Sequence, residues 1–169
     1  MSTPEFLIRP TAADDWREIR ELRLEMIRDT PTAYTETLET AVSHGEAEWR
    51  MRAQRGASGN GIAIAAIAES GRWIGTMAGF VPDPETGAIL VGVYVAPDFR
   101  GIKMGLTDAL LNTVEDWARK EGDQLTLQVH EDNIRAQKAY VRRGFMATGH
   151  TVAYNLDPSK KELEMTKTL

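Results

Sequence analysis

Between residues 93 and 105 the chain reads VYVAPDFRGIKMG: an apolar strand-like segment, a Pro-Asp turn, then Arg100 and Lys103 set among Gly101 and Gly105. Helical periodicity begins directly afterwards. The loop therefore leads into a helix start, where backbone amides lack partners and the macrodipole amounts to roughly half a positive charge. Two cations beside bare amides suit a polyanion such as a phosphate. The same residues also fit an ordinary strand-to-helix loop with solvated charges. Neither the spacing of a P-loop nor the G-x-G-x-x-G of a dinucleotide fold occurs here.

A second set lies further on. Asn133, Ala136 and Tyr140 stand at i, i+3 and i+7, on one helical face. A small residue flanked by an amide and a phenol leaves a slot, and the phenol is a proton donor with a pKa near 10. The alternative is an Asn133 that merely caps the helix, with Ala136 and Tyr140 turned into the core. Other titratable candidates are His130, Tyr34 and Glu36. The three histidines (His44, His130, His150) are not spaced as ligands and there is no cysteine, so no metal site is expected.

The elements that must hold these residues follow from periodicity. Phe6–Arg9 reads as a strand stopped by Pro10, and Thr11 with Asp14 as a capping box opening a helix through Ile19, Leu22, Met26 and Ile27. A second helix covers about Ser43–Gln54. Residues 62–69, 72–81 and 88–95 are apolar runs separated by tight turns, an antiparallel meander. From Met104 the period changes to helical, with Leu106, Leu110, Val114 and Ala118 on one face, and Gly122 closes the helix. Leu125–Val129 is a strand, about Asn133–Arg143 a helix, and the tail offers strands near 145–154 and 162–167. The crossover from 88–95 through a helix to 125–129 makes those two strands parallel.

The sequence is 169 residues long with a net charge of −5 and 42% hydrophobic residues. One domain, 1–169, is expected. The acidic balance argues against non-specific nucleic-acid binding and suits an amine-bearing small molecule. No run approaches the roughly 20 apolar residues that span a bilayer, so no membrane contact is expected and the cytoplasm is the default location.

Taken together, the two sets resemble the GNAT superfamily of acyl-CoA-dependent N-acetyltransferases. Its acyl-CoA loop follows a strand ending in V-x-P and reads Arg or Gln, two residues, Gly, one residue, Gly or Ala; Val95, Pro97, Arg100 and Gly105 match. Its next motif, N-x-x-A-x-x-x-Y-x-x-x-G-F, matches at Asn133, Ala136, Tyr140, Gly144 and Phe145. Lys103 departs, standing where the family has its first loop glycine.

The resemblance implies an α+β fold: one mixed, mostly antiparallel sheet of about seven strands with helices on both faces. It implies acetyl-CoA as co-substrate and direct transfer of its acetyl group to a primary amine of a small molecule. Val93, Tyr94 and Val95 then meet the pantetheine arm. Arg100, Gly101, Ile102, Lys103, Met104 and Gly105, leading into Leu106, cradle the pyrophosphate, with Lys103 pairing with a phosphate. Asn133 and Ala136 face the coenzyme, and Tyr140 protonates the departing thiolate. Members often carry a Glu on the strand here spanning 88–95, and this chain has none there. His130, Tyr34, Glu36 or water would then take the amine's proton. A peptide N-terminal acetyltransferase and a non-catalytic acyl-CoA-binding module are the competing readings, and the resemblance allows a homodimer.

Overall fold

Period-two apolar segments pair edge to edge and period-3.6 segments cover them. In the computed structural model, which describes residues 5–169, seven strands form one sheet. The first four residues of the expected domain lie outside the described residues. The strands are β1 (Phe6–Pro10), β2 (Gly61–Ala68), β3 (Trp73–Phe80), β4 (Ala88–Val95), β5 (Gln124–His130), β6 (Met146–Tyr154) and β7 (Asp157–Thr168), in the order β1-β2-β3-β4-β5-β7-β6. All neighbours are antiparallel except β4 and β5, which are parallel as the crossover requires.

Helices α1 (Trp16–Asp29), α2 (Leu38–Ser43) and α3 (Glu46–Ala53) cover one face; α4 (Leu106–Glu121) and α5 (Ile134–Arg142) lie on the other. The second expected helix is α3, which starts at Glu46; α2, set off from it at His44-Gly45 and capped by the Thr37 hydroxyl through the Thr40 amide, is an additional helix. α4 buries Leu106, Leu110, Leu111, Val114 and Ala118 against the sheet. Its approach depends on Gly79 of β3, where a Cβ would stand 2.7 Å from the Trp117 ring. Glu115, 2% exposed on the same buried face, is neutralised by Lys167 of β7.

Three boundaries differ from the expectation. Pro10 ends β1 instead of stopping it at Arg9, which an edge strand tolerates because that N–H need not pair. The cap before α1 is shifted by one residue: Asp15, not Asp14, accepts from the Ala12 amide at 2.8 Å, and the Thr11 hydroxyl instead donates to the Ala53 carbonyl at 2.7 Å. β7 begins at Asp157 rather than at Glu162.

The feature that matters for function is where the sheet opens. β4 and β5 pair only at Ala88–Leu125 and Ile89–Thr126 and then part. Just beyond, β4 carries a bulge: Thr76 faces Tyr94 and Ala78 faces Val91, so Met77 opposes both Gly92 and Val93. Gly92 sits at φ +59°, a left-handed conformation costing an L-residue about 1–2 kcal/mol.

Candidate active site

Beyond the parting point, β4, β5, α4 and α5 enclose a cleft of about 170 Å³. Val93, Tyr94, Val95, Arg100, Asn133, Ala136 and Tyr140 all line it, so residues from two distant sequence stretches meet there. Gly101, Ile102, Lys103, Met104 and Gly105 stand outside, in the loop entering α4, and the Leu106 side chain is fully buried in the core. Gly101 and Gly105 both adopt positive φ, at +105° and +72°. Lys103 is exposed and makes no ion pair among the described residues. The amides of Leu106, Thr107 and Asp108 find no acceptor among the described residues; the first intrahelical bond runs from Ala109 to the Gly105 carbonyl at 3.0 Å.

Arg100 is committed to the protein. Its Nε donates to the Val95 carbonyl at 2.8 Å and its guanidinium pairs with Asp29 of α1. Burial works against the Asp29 charge, but the hydrogen bonds from Arg100 and Thr30 prevail and lower its pKa. Tyr94 likewise turns its hydroxyl to Glu25 of α1, at 2.7 Å. On α5, Asn133 Oδ1 accepts from the Ala136 amide at 3.2 Å, so Asn133 is a helix cap as well as a cleft residue. Tyr140 stacks edge-on with Phe145, ring centroids 5.6 Å apart, and its hydroxyl has no partner among the described residues. Burial pushes this phenol up to about 12, against a small opposing pull from Arg143. Arg143 itself is held by Asp108 of α4 at 2.7 Å.

The three side chains considered as bases are all occupied. His130 is not an exposed loop residue: it ends β5, is 3% exposed, and stacks edge-on with Tyr154 at 4.7 Å. Its Nδ1 accepts from the Asp132 amide at 3.0 Å, which assigns the ring proton to Nε2 and leaves that nitrogen a donor. The Tyr34 hydroxyl donates to the Val93 carbonyl at 2.8 Å, and burial raises its pKa well above the usual phenol value. Glu36 receives both Arg52 nitrogens, at 2.9 and 2.7 Å, and Arg23 at 3.0 Å. Burial opposes its charge, yet these partners hold its carboxyl at about 2.

A second cavity, about 610 Å³, lies on the face covered by α1 and α3. It shares Tyr34, Leu90, Val91, Gly92, Leu127 and Gln128 with the cleft, so the two meet along the opened strands. Sequence reasoning missed its floor. In β5 and β7, Gln128 faces Glu164 and His130 faces Glu162 across the ladder. The signal was the alternation itself: Thr126, Gln128 and His130 fall on one face of β5 and Leu125, Leu127 and Val129 on the other. Glu164 accepts from Thr148 at 3.0 Å. Glu162 makes no hydrogen bond or ion pair among the described residues, and burial raises its pKa, with His130 pulling the other way.

This opened sheet, with a glycine-turned loop feeding α4 and a capped α5 across the cleft, defines an acyltransferase-type fold. The model of the acetyltransferase (GNAT) family matches residues 16–145, and the chain belongs to that family. The GNAT-family acetyltransferase of Streptococcus pneumoniae is similar at TM-score 0.79 and 18% identity, over 98% of this chain and 100% of that one. The PaiA N-acetyltransferase of Thermoplasma acidophilum, in complex with coenzyme A, gives 0.74 and 20%, over 98% and 99%. A phosphinothricin acetyltransferase of Sinorhizobium meliloti, in complex with AcCoA, gives 0.75 and 20%, over 97% and 88%. At these identities the likeness is one of fold. No curated protein sequence matches the chain. Among the described residues no helix is long and apolar enough to cross a membrane.

Proposed function

We propose that this acetyltransferase moves the acetyl group of acetyl-CoA to a primary amine of a small molecule. The observation that carries the reading is the cleft at the parted strands, where residues of both family motifs line one space that joins a larger cavity. A cleft of 170 Å³ is below the roughly 300–1,000 Å³ that encloses a drug-sized ligand. It suits an extended thioester arm. The adjoining 610 Å³ lies within that range and favours a small acceptor over a peptide chain.

The residues fit the coenzyme at its two ends. Lys103 and the unpaired amides of residues 106–108 offer charge and donors to a pyrophosphate. Arg100, tied to Asp29 and Val95, shapes the loop. When bound, acetyl-CoA supplies the activated acyl group. At the other end Tyr140 presents a hydroxyl that stays protonated at neutral pH and can give its proton to a leaving sulfur. The acceptor must arrive as a free amine. For a lysine-like group of pKa about 10.4, deprotonation at pH 7 costs roughly 4–5 kcal/mol.

The test is a panel of primary amines with acetyl-CoA, following release of free CoA thiol, to which this cysteine-free chain adds no background. Turnover with a small amine is expected. Turnover only with peptide N-termini selects the peptide reading, and acetyl-CoA binding without turnover selects a non-catalytic module.

A further inference from the structure

We propose that Glu162 is the catalytic base of this chain, receiving the acceptor's ammonium group in the larger cavity and taking its first proton. The inference rests on the acetyltransferase reading above and assigns the role that reading leaves open.

The geometry works by elimination and by placement. Tyr34 keeps its proton in a hydrogen bond to the Val93 carbonyl, His130 has its one basic nitrogen on the Asp132 amide, and Glu36 is locked between Arg52 and Arg23. Glu162 lines the acceptor cavity on β7, directly across the ladder from His130, and keeps both carboxylate oxygens unpaired among the described residues. A half-buried carboxylate without a partner is unfavourable unless a cation completes it. An ammonium does so, and the bond it forms is charge-assisted.

The surroundings favour a base rather than a permanent salt bridge. On its own strand Glu162 is flanked by Glu164 and by Lys160, which is drawn off to Asp132 at 3.0 Å. Across the ladder stands His130, and from β6 Tyr154 packs on that ring. From the helical side Arg23 and Arg52 are neutralised by Glu36, while Arg55 is exposed at the cavity wall. Desolvation dominates, so the carboxyl titrates above its ordinary value and closer to the working pH.

The step balances. The ammonium gives one proton to a Glu162 oxygen. The nitrogen's lone pair then forms the C–N bond as the C–S bond breaks. Its second proton ends on the sulfur by way of the Tyr140 hydroxyl, and Glu162 returns the first to solvent.

The experiment compares wild type, Glu162→Gln and Glu162→Asp with the amine panel between pH 5 and 9, with acetyl-CoA affinity and amine affinity for the CoA-loaded protein measured by calorimetry. Glu162→Gln should lower kcat/KM by about 10²–10⁴-fold, abolish the acidic limb that the wild-type profile shows above the ordinary carboxylate range, and leave acetyl-CoA affinity within twofold. Glu162→Asp should retain the limb at reduced rate. Activity of the Gln variant within threefold of wild type, or an unchanged limb, overturns the proposal. So does a parallel loss of acetyl-CoA affinity and melting temperature, which marks a scaffold role. If wild type turns over an amine and the Gln variant matches it, the Glu162 assignment fails alone. If wild type binds acetyl-CoA but neither binds nor acetylates any amine, the acetyltransferase reading fails and this assignment with it. Failure of acetyl-CoA binding itself overturns the acetyltransferase reading and this assignment with it.

Discussion

The hydroxyl of Tyr34 donates to the main-chain carbonyl of Val93 at 2.8 Å, joining the segment after α1 to the bulge of β4. One link further back, the Tyr154 hydroxyl donates to the Tyr34 carbonyl at 2.6 Å. Two phenols thus pin residues 31–34 between β4 and β6, on both sides of the place where the sheet opens. A carbonyl has two lone pairs, so Val93 still has one to offer.

Tyr34→Phe removes this link and keeps the ring. A net loss of about 1 kcal/mol is expected, read as a lower denaturation midpoint with an unchanged slope. The turnover number should fall less than tenfold, because a phenol whose O–H is engaged by a carbonyl and whose pKa burial raises stays protonated and is not the base. A fall beyond a hundredfold with folding intact would reinstate Tyr34 in that role.

Glu36 ties α1 to α3 through Arg23 and Arg52. Its folded pKa, about 2, lies below the ordinary 4.5, so its contribution is full above pH 4.5 and is lost as pH falls through about 2. Glu36→Gln should cost about 2–3 kcal/mol at pH 7, the worth of charge-assisted hydrogen bonds in a half-buried site. The gap between wild type and variant should close between pH 4.5 and 2 in chemical denaturation at stepped pH. A gap that persists at pH 2 would mean that packing, not charge, carries the effect.

Lys103 stands where the family pattern has glycine, exposed and unpaired among the described residues. Gly101 and Gly105 hold the loop's positive φ angles without it, so its replacement leaves the backbone free to keep its shape. We expect Lys103→Gly to weaken acetyl-CoA binding a few-fold at low salt, with the difference vanishing near 1 M, where the screening length is about 3 Å. Tighter binding by the glycine variant in calorimetry would show that the lysine obstructs the loop.

The sheet was legible because its strands carry apolar runs bounded by glycine and proline, and the cleft because two spaced motifs each confine a backbone: glycines at 101 and 105, and a capped helix face at Asn133, Ala136 and Tyr140. What was illegible has a common cause. The Arg100–Asp29 and Tyr34–Val93 links join positions far apart in sequence, and side chains that local spacing leaves free are claimed by them. The acceptor floor fails for another reason. Gln128, Glu162 and Glu164 alternate with core residues on ordinary strands, and only the β5–β7 register brings them together. Their polarity reads as solvent exposure, and only the fold shows that Gln128, Glu162 and Glu164 line the cavity beside α1 and α3.

Tyr140 can be tested most sharply, because its ring and its hydroxyl do separate things. The ring packs edge-on against Phe145, and Tyr140→Phe preserves that contact. The hydroxyl has no protein partner among the described residues, so losing it breaks no hydrogen bond and the melting temperature should stay within about a degree or two. Chemistry is another matter. A phenol held at about 12 is a weaker acid than one near 10, which places its contribution toward the lower part of the 10²–10⁴-fold range for general acids. Burial raises the pKa of a thiolate in the same cleft as well, which restores part of the driving force. We therefore expect kcat and kcat/KM to fall together by about a hundredfold, since the proton moves only in the transition state. Acetyl-CoA affinity should be unchanged. A loss below tenfold would assign the proton to water, and a lowered melting temperature with intact activity per folded molecule would make Tyr140 a packing residue.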